Sequence, residues 1–164
     1  MDSAMNGDKA SGTMAAGQSN LMGFDMLPFI LSKLTPESFK LGAGRRANIA
    51  YRDFGVNAAT GGKVNFIGAR IDKASDITTG WHYHTTEILV AYYLSGWIDV
   101  YFEPGKLTRV SAGDCILIPR GMPHCEIRNS DNMELVEVYI GEMGTVNVPE
   151  PVPGYVWPGN ATRS

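Results

Sequence analysis

The sequence predicts an all-β domain, either a barrel or a sandwich. From Arg46 onward the chain is a succession of short runs rich in β-branched and aromatic residues. Turn residues separate these runs at even spacing, the rhythm of strands that fold back on one another. Only one stretch, Asp25 to Lys40, has the apolar content of a helix. With 164 residues, 44% of them apolar and 19% charged, the chain can build one core of ordinary size.

Residues 1–24 read as a flexible tail, because their Gly, Ser, Ala and charged residues repay little of the entropy of being ordered. The barrel domain is expected over 25–143. It opens with a helical turn or two within Asp25 to Lys40, where Pro28 and Pro36 interrupt Leu27, Phe29, Ile30, Leu31 and Leu34. Strands are then expected at Arg46 to Tyr51, Lys63 to Ile71, Trp81 to Thr85, Ile88 to Leu94 and Trp97 to Phe102. Further strands follow at Leu107 to Val110, Cys115 to Ile118, His124 to Arg128 and Met133 to Ile140. The turns between them are marked by Ala59-Thr60-Gly61-Gly62, Ser95-Gly96, Glu103-Pro104-Gly105-Lys106, Ala112-Gly113-Asp114 and Asn129-Ser130-Asp131-Asn132. Residues 144–164 contain Pro149, Pro151, Pro153 and Pro158, so an extended arm that ladders poorly is expected there, lying on the barrel or on a partner.

The net charge of −3 provides no basic stripe for nucleic acid. The longest strongly apolar run, Ile88 to Leu94, is far short of the roughly 20 residues of a membrane-spanning helix. The first twenty residues lack the apolar stretch of a secretory signal, so a cytoplasmic address is the expectation. Cys115 and Cys125 make no disulfide framework and are read as reduced.

All three histidines fall in one pattern. His82 and His84 alternate in Trp81-His82-Tyr83-His84, and His124 follows Pro119-Arg120-Gly121-Met122-Pro123. A strand places residues i and i+2 on the same face, so His82 and His84 can point together into an interior that His124 reaches from a neighbouring strand. Three imidazoles on one side of an ion leave its other positions to water or substrate.

These motifs resemble the cupin superfamily, small double-stranded β-helix or jelly-roll barrels with a metal inside. The second motif of that family is matched by Gly113, Pro119-Arg120-Gly121 and His124, with Asn129 one place late; the first is matched by His82, His84 and the turn glycine Gly96. The motifs cover about Asp76 to Asn129, and flanking strands extend the likeness to roughly Ala43 to Gly141. Two departures stand out. The usual glycine six places before the first histidine is Asp76, with Gly80 nearby. The carboxylate ligand that the family places five residues after His84 falls on Leu89, leaving Glu87 as a possible fourth ligand or a solvated side chain.

The resemblance implies a divalent metal held by His82, His84 and His124, with iron(II) the first expectation and manganese, nickel and zinc behind it. Three neutral imidazoles leave the ion's charge uncompensated, which favours anionic chelating partners such as an enolate or a carboxylate. Leu89 would be an apolar wall of the substrate pocket. Arg120 at the barrel mouth either clamps an acid or is solvated, and Trp81 either lines the pocket or packs in the core. Glu126 shares alternation parity with His124, and Glu137 with Tyr139; each is either a proton-transfer group or part of a solvated face. The expected function is a metal-dependent enzyme of the dioxygenase type, acting on a small oxygenated or aromatic organic acid or ketone. The alternatives are a metal-dependent isomerase or lyase and a non-catalytic small-molecule binding or sensing module. The resemblance also implies a homodimer, with no nucleic-acid or membrane partner.

Overall fold

The computed structural model describes residues 26–42 and 48–160. The expected tail lies outside the described residues, as do the first two positions of the strand expected from Arg46. In chain order the strands are β1 (Lys40–Leu41), β2 (Ala50–Asp53), β3 (Val64–Ile71), β4 (His82–His84), β5 (Ile88–Ser95) and β6 (Trp97–Glu103). They continue with β7 (Lys106–Ser111), β8 (Cys115–Pro119), β9 (Cys125–Asn129), β10 (Met133–Ile140) and β11 (Thr145–Asn147). One antiparallel sheet has the order β1-β2-β3-β10-β5-β8. A second, β7-β6-β9, and the pair β11-β4 complete the barrel. The fold is that of a double-stranded β-helix.

Alternation along each strand decides what meets inside. Ala69 and Ile71 of β3, Ala91 and Tyr93 of β5, and Met133 and Leu135 of β10 face Ile98 and Val100 of β6 and Val110 of β7 in one buried cluster. The two sheets therefore bury their inner faces against each other. A second cluster joins Leu89, Ile118, Met122 and Tyr139 nearer the β8 edge.

Gly96 shows why the turns take the residues they do. Its φ of 69° lies in the left-handed region, and a Cβ there would stand 2.8 Å from the Met133 Cα, an overlap with backbone that cannot move aside. On the outer face of the second sheet, Asp99 is buried under two arginines. Arg109 Nε donates to it at 2.8 Å and Arg128 Nε at 2.7 Å, both from positions directly across the ladder. Their bonds, that of Arg109 foremost, hold the Asp99 carboxyl below its usual range despite burial.

Two expectations need correction. Residues 26–40 contain no helix: the chain runs extended, turns at Pro36–Ser38 and enters the sheet at β1. The reason is local and tertiary at once. Pro28 and Pro36 break any continuous helical ladder, and the Phe39 ring packs against Gly68, with the Arg70 guanidinium 4.3 Å from its ring centre. The helical turn sits instead at Val56–Ala59, after Gly55. The C-terminal segment, in turn, does ladder. Its prolines all lie beyond Val148, so residues 145–147 keep their N–H groups and pair with β4. No described helix is long and apolar enough to cross a membrane.

Replacing Asp99 by Asn keeps its shape but removes the charge that both arginines share. Because the arginines are half exposed and can rehydrate, a loss of about 2 kcal/mol is expected in denaturant unfolding, with the metal content untouched.

Candidate metal centre

The site starts from a backbone contact. His82 and His124 stand opposite each other in an antiparallel bridge, exchanging N–H to carbonyl bonds of 3.0 and 2.9 Å. Residues so paired project to the same face, and their rings meet with centres 4.3 Å apart. His84, two residues along β4, returns to that face with its ring centre 5.3 Å from that of His82 and 5.1 Å from that of His124.

What holds the rings is as informative as where they are. His82 Nδ1 lies 2.9 Å from the Gly80 carbonyl, and His124 Nδ1 lies 3.0 Å from the Met122 carbonyl. A carbonyl only accepts, so in both rings the proton belongs on Nδ1 and the lone pair on Nε2. Gly80, with φ at 69°, turns the chain to present that carbonyl. His84 Nδ1 is 3.2 Å from the Thr145 hydroxyl of β11. One ligand atom from each ring can be chosen so that all three lie within 4.8 Å of one another. A shift of roughly an ångström brings such a set onto a common ion with bonds of about 2 Å. The donor chemistry therefore fits a divalent metal: imidazoles oriented from behind by carbonyl and hydroxyl groups, the arrangement that fixes tautomer and raises ligand basicity.

Glu126 of β9 stands beside the trio. Its carboxylate oxygens are 3.9 Å from His82 Nε2 and 3.8 Å from His124 Nε2. The Thr79 hydroxyl pins it, accepting the Glu126 N–H at 3.0 Å and donating to the carboxylate. Burial pushes this carboxyl up. The Thr79 bond pulls it down, and so does charge on His124 and His82 when those rings are protonated rather than neutral.

His82 and His84, though not His124, line a cavity of about 420 Å³ whose walls are mainly apolar, among them Ile49, Ile67, Tyr93, Ile98, Met133 and Leu135. Glu137 and Tyr139 of β10 also face it, and the Tyr139 hydroxyl donates to Glu137 Oε2 at 2.9 Å. Burial lifts the Glu137 carboxyl to about 7 against the lowering effect of the tyrosine bond, with a smaller upward push from Glu126. Burial and then the neighbouring Glu137 raise the Tyr139 hydroxyl well above its ordinary value. A carboxyl poised near neutrality and a proton-holding phenol thus share the chamber with the histidines.

Other expected residues sit elsewhere. Leu89 is no wall of this cavity: it is sealed between Tyr139 and Ile118, its partners across the ladder. Glu87 and Arg120 are exposed and bind each other at 2.5 Å, so in this arrangement neither the fourth ligand nor the acid clamp reaches the chamber. The physical cause is the Gly121 turn, whose N–H bonds the His84 carbonyl while Arg120 N–H bonds that of Glu87, drawing the two side chains together outside. Trp81, one residue out of phase with His82, stacks on Tyr101 on the outer side. Cys125 is buried, with Sγ 3.2 Å from the Thr78 hydroxyl, and Cys115 is exposed. Thr79 and Thr145 escaped sequence reading because they carry no motif; only pairing across distant strands brings them to the site.

Residues 72–139 match the family model described as Cupin domain. That segment is a cupin domain. Among solved structures, the polyketide cyclase RemF from Streptomyces resistomycificus shares the fold, with a TM-score of 0.58 at 18% identity over 77% of this chain and 91% of that one. A predicted oxalate decarboxylase from Thermotoga maritima aligns with a TM-score of 0.47 at 22% identity, over 56% of this chain and 79% of that one. A single-site mutant of salicylate 1,2-dioxygenase from Pseudoaminobacter salicylatoxidans, in complex with gentisate, aligns at 0.48 and 18%, over 62% and 29%. No curated protein matches the sequence.

Replacing His124 by Ala is expected to reduce metal in the purified cupin to background by elemental analysis while the β-sheet circular dichroism persists. Replacing Thr145 by Val, which leaves all three imidazoles in place, should weaken metal binding by roughly ten-fold in chelator competition. An unchanged affinity would mean that β11 does not orient His84.

Proposed function

We propose that this cupin is a metal-dependent enzyme acting on a small oxygenated or aromatic ketone or organic acid, and that its reaction turns on proton transfer beside a carbonyl. The observation that carries this reading is that the histidine trio borders, through His82 and His84, the largely apolar chamber that Glu126, Glu137 and Tyr139 also line. His82, His84 and His124 would hold the ion, with iron(II) the first choice and manganese, nickel or zinc behind it. When bound, the ion supplies Lewis acidity to a carbonyl or hydroxyl oxygen.

The chain's own groups supply the rest. With a carboxyl near 7, Glu137 can take a proton from the carbon next to the carbonyl at neutral pH and return it later; the electron pair left behind moves toward the carbonyl oxygen. Tyr139 keeps its proton, orients Glu137 and offers a donor to substrate oxygen. The largely apolar walls lower the local dielectric, which strengthens the charge interactions inside. Ring closure of a polyketone, the activity in the name of the RemF neighbour, belongs to this reaction class. Dioxygen cleavage is the second reading, favoured by the purely imidazole trio; it consumes oxygen, whereas proton transfer does not.

Metal-loaded protein incubated with aromatic ketones in deuterated water is expected to exchange the hydrogens next to the carbonyl without oxygen uptake. Oxygen consumed in step with substrate loss would sink the proton-transfer reading and favour a dioxygenase.

Stability offers an independent check on Glu137. A carboxyl raised from 4.5 to about 7 in the fold keeps a proton that the unfolded chain has shed, so unfolding free energy should fall as pH rises across that window and level off above it. Glu137→Gln should flatten this slope in denaturant melts at successive pH values.

A further inference from the structure

The lining of the chamber and of its approach carries a sign. Among the described residues that line the cavity, Glu126 and Glu137 are the acids and no lysine or arginine appears. A second, more open pocket of about 500 Å³ adjoins it, sharing Asn65, Ile67 and Met143 with the cavity wall. Asn65 Nδ2 stands 2.9 Å from Met143 Sδ where the two spaces meet. This outer pocket is rimmed by Asp53 and Glu142, again with no basic side chain among its described lining residues.

The nearby arginines are turned to other work. Arg120 binds Glu87 on the outside, Arg52 donates to the Ser32 carbonyl while lying over Phe54, and Arg70 covers Phe39. An acid passing Asp53 and Glu142 would come to rest beside the Glu126 carboxylate, with Glu137 only partly ionised at neutral pH. No guanidinium or ammonium of the described lining would pair with it, which leaves an ion on the histidines as its cationic partner, and Glu126 offsets part of that ion's charge. The proximity of Glu126 also answers the expectation from sequence that an uncompensated ion calls for an anionic ligand: negative charge stands beside the histidines already.

We infer that the chamber selects uncharged, oxygen-bearing ring compounds, phenolic ketones above all, and rejects their carboxylate counterparts. This rests on the proposed function and narrows it, dropping the organic acids. A cavity of about 420 Å³ suits a molecule of roughly two or three rings, whose body fills the apolar end while its oxygens face the histidines. A ketone carbonyl and a carboxylate both only accept hydrogen bonds, so the difference between them is charge, and the carboxylate alone faces repulsion from Glu126.

A matched pair of probes separates charge from shape. 2-Acetyl-1-naphthol and 1-hydroxy-2-naphthoate have the same rings and the same adjacent hydroxyl and carbonyl, and differ only in methyl against anionic oxygen. With protein carrying its retained divalent metal, calorimetry at neutral pH is expected to show the acetylnaphthol binding at least about ten-fold more tightly. The double variant Asp53→Asn with Glu142→Gln should speed association of the naphthoate at low salt, leave metal content unchanged, and lose that advantage at about 1 M salt. Equal or tighter naphthoate binding by wild-type protein overturns the inference, as does failure of both probes to bind protein that holds its metal. A purified protein that retains no metal overturns the proposed function itself, and elemental analysis on the same sample tells the two failures apart.

Discussion

The reciprocal pair of backbone hydrogen bonds between His82 and His124 is the constraint on which the site depends. It locks two imidazoles from separate motifs onto one face, and through the strand repeat it places His84 on that face as well. The Gly121 N–H then ties the motif loop to the His84 carbonyl, and Val148 N–H ties the segment after β11 to the Trp81 carbonyl. The histidine strand is thus held from both sides. Side-chain geometry at the centre follows from main-chain pairing around it.

Negative charge near the histidines arrives by an unexpected route. The family pattern places its carboxylate where this chain has Leu89, and that position is filled by packing against Tyr139 and Ile118. Glu126, two residues beyond His124, stands beside the histidines instead, carried there by alternation on β9 and pinned by Thr79. The chamber thus sets two acids and a phenol among mainly apolar walls.

Much of the fold was legible because strands announce themselves locally. The alternation in Met133 to Ile140 and Ile88 to Leu94 and the turn residues around Gly96 and Gly113 led to strand limits that match within a residue or two. The stretch at 26–40 was not legible. Leu27, Phe29, Ile30 and Leu34 carry helical spacing as readily as they carry an extended path, and Phe39 on Gly68 belongs to the extended one. Thr145–Asn147 was misread for a different reason: the prolines beyond it coloured the whole segment, although none occupies the paired positions.

What the sequence by itself determined is the chemistry of the centre. Three histidines at strand and motif spacing define a set of nitrogen donors, and the parity of Glu126 with His124 and of Glu137 with Tyr139 was written in the strand repeat, which is a local property. Tertiary structure alone decided which side of each strand is the chamber. It turned Glu126, Glu137 and Tyr139 inward, sealed Leu89 in packing, sent Glu87 and Arg120 to each other outside, and brought Thr79 and Thr145 to the carboxylate and imidazole they hold. Inward and outward have no meaning along a single strand. They are defined only when distant strands close around a common volume, and burial then sets the proton affinity of whatever faces it.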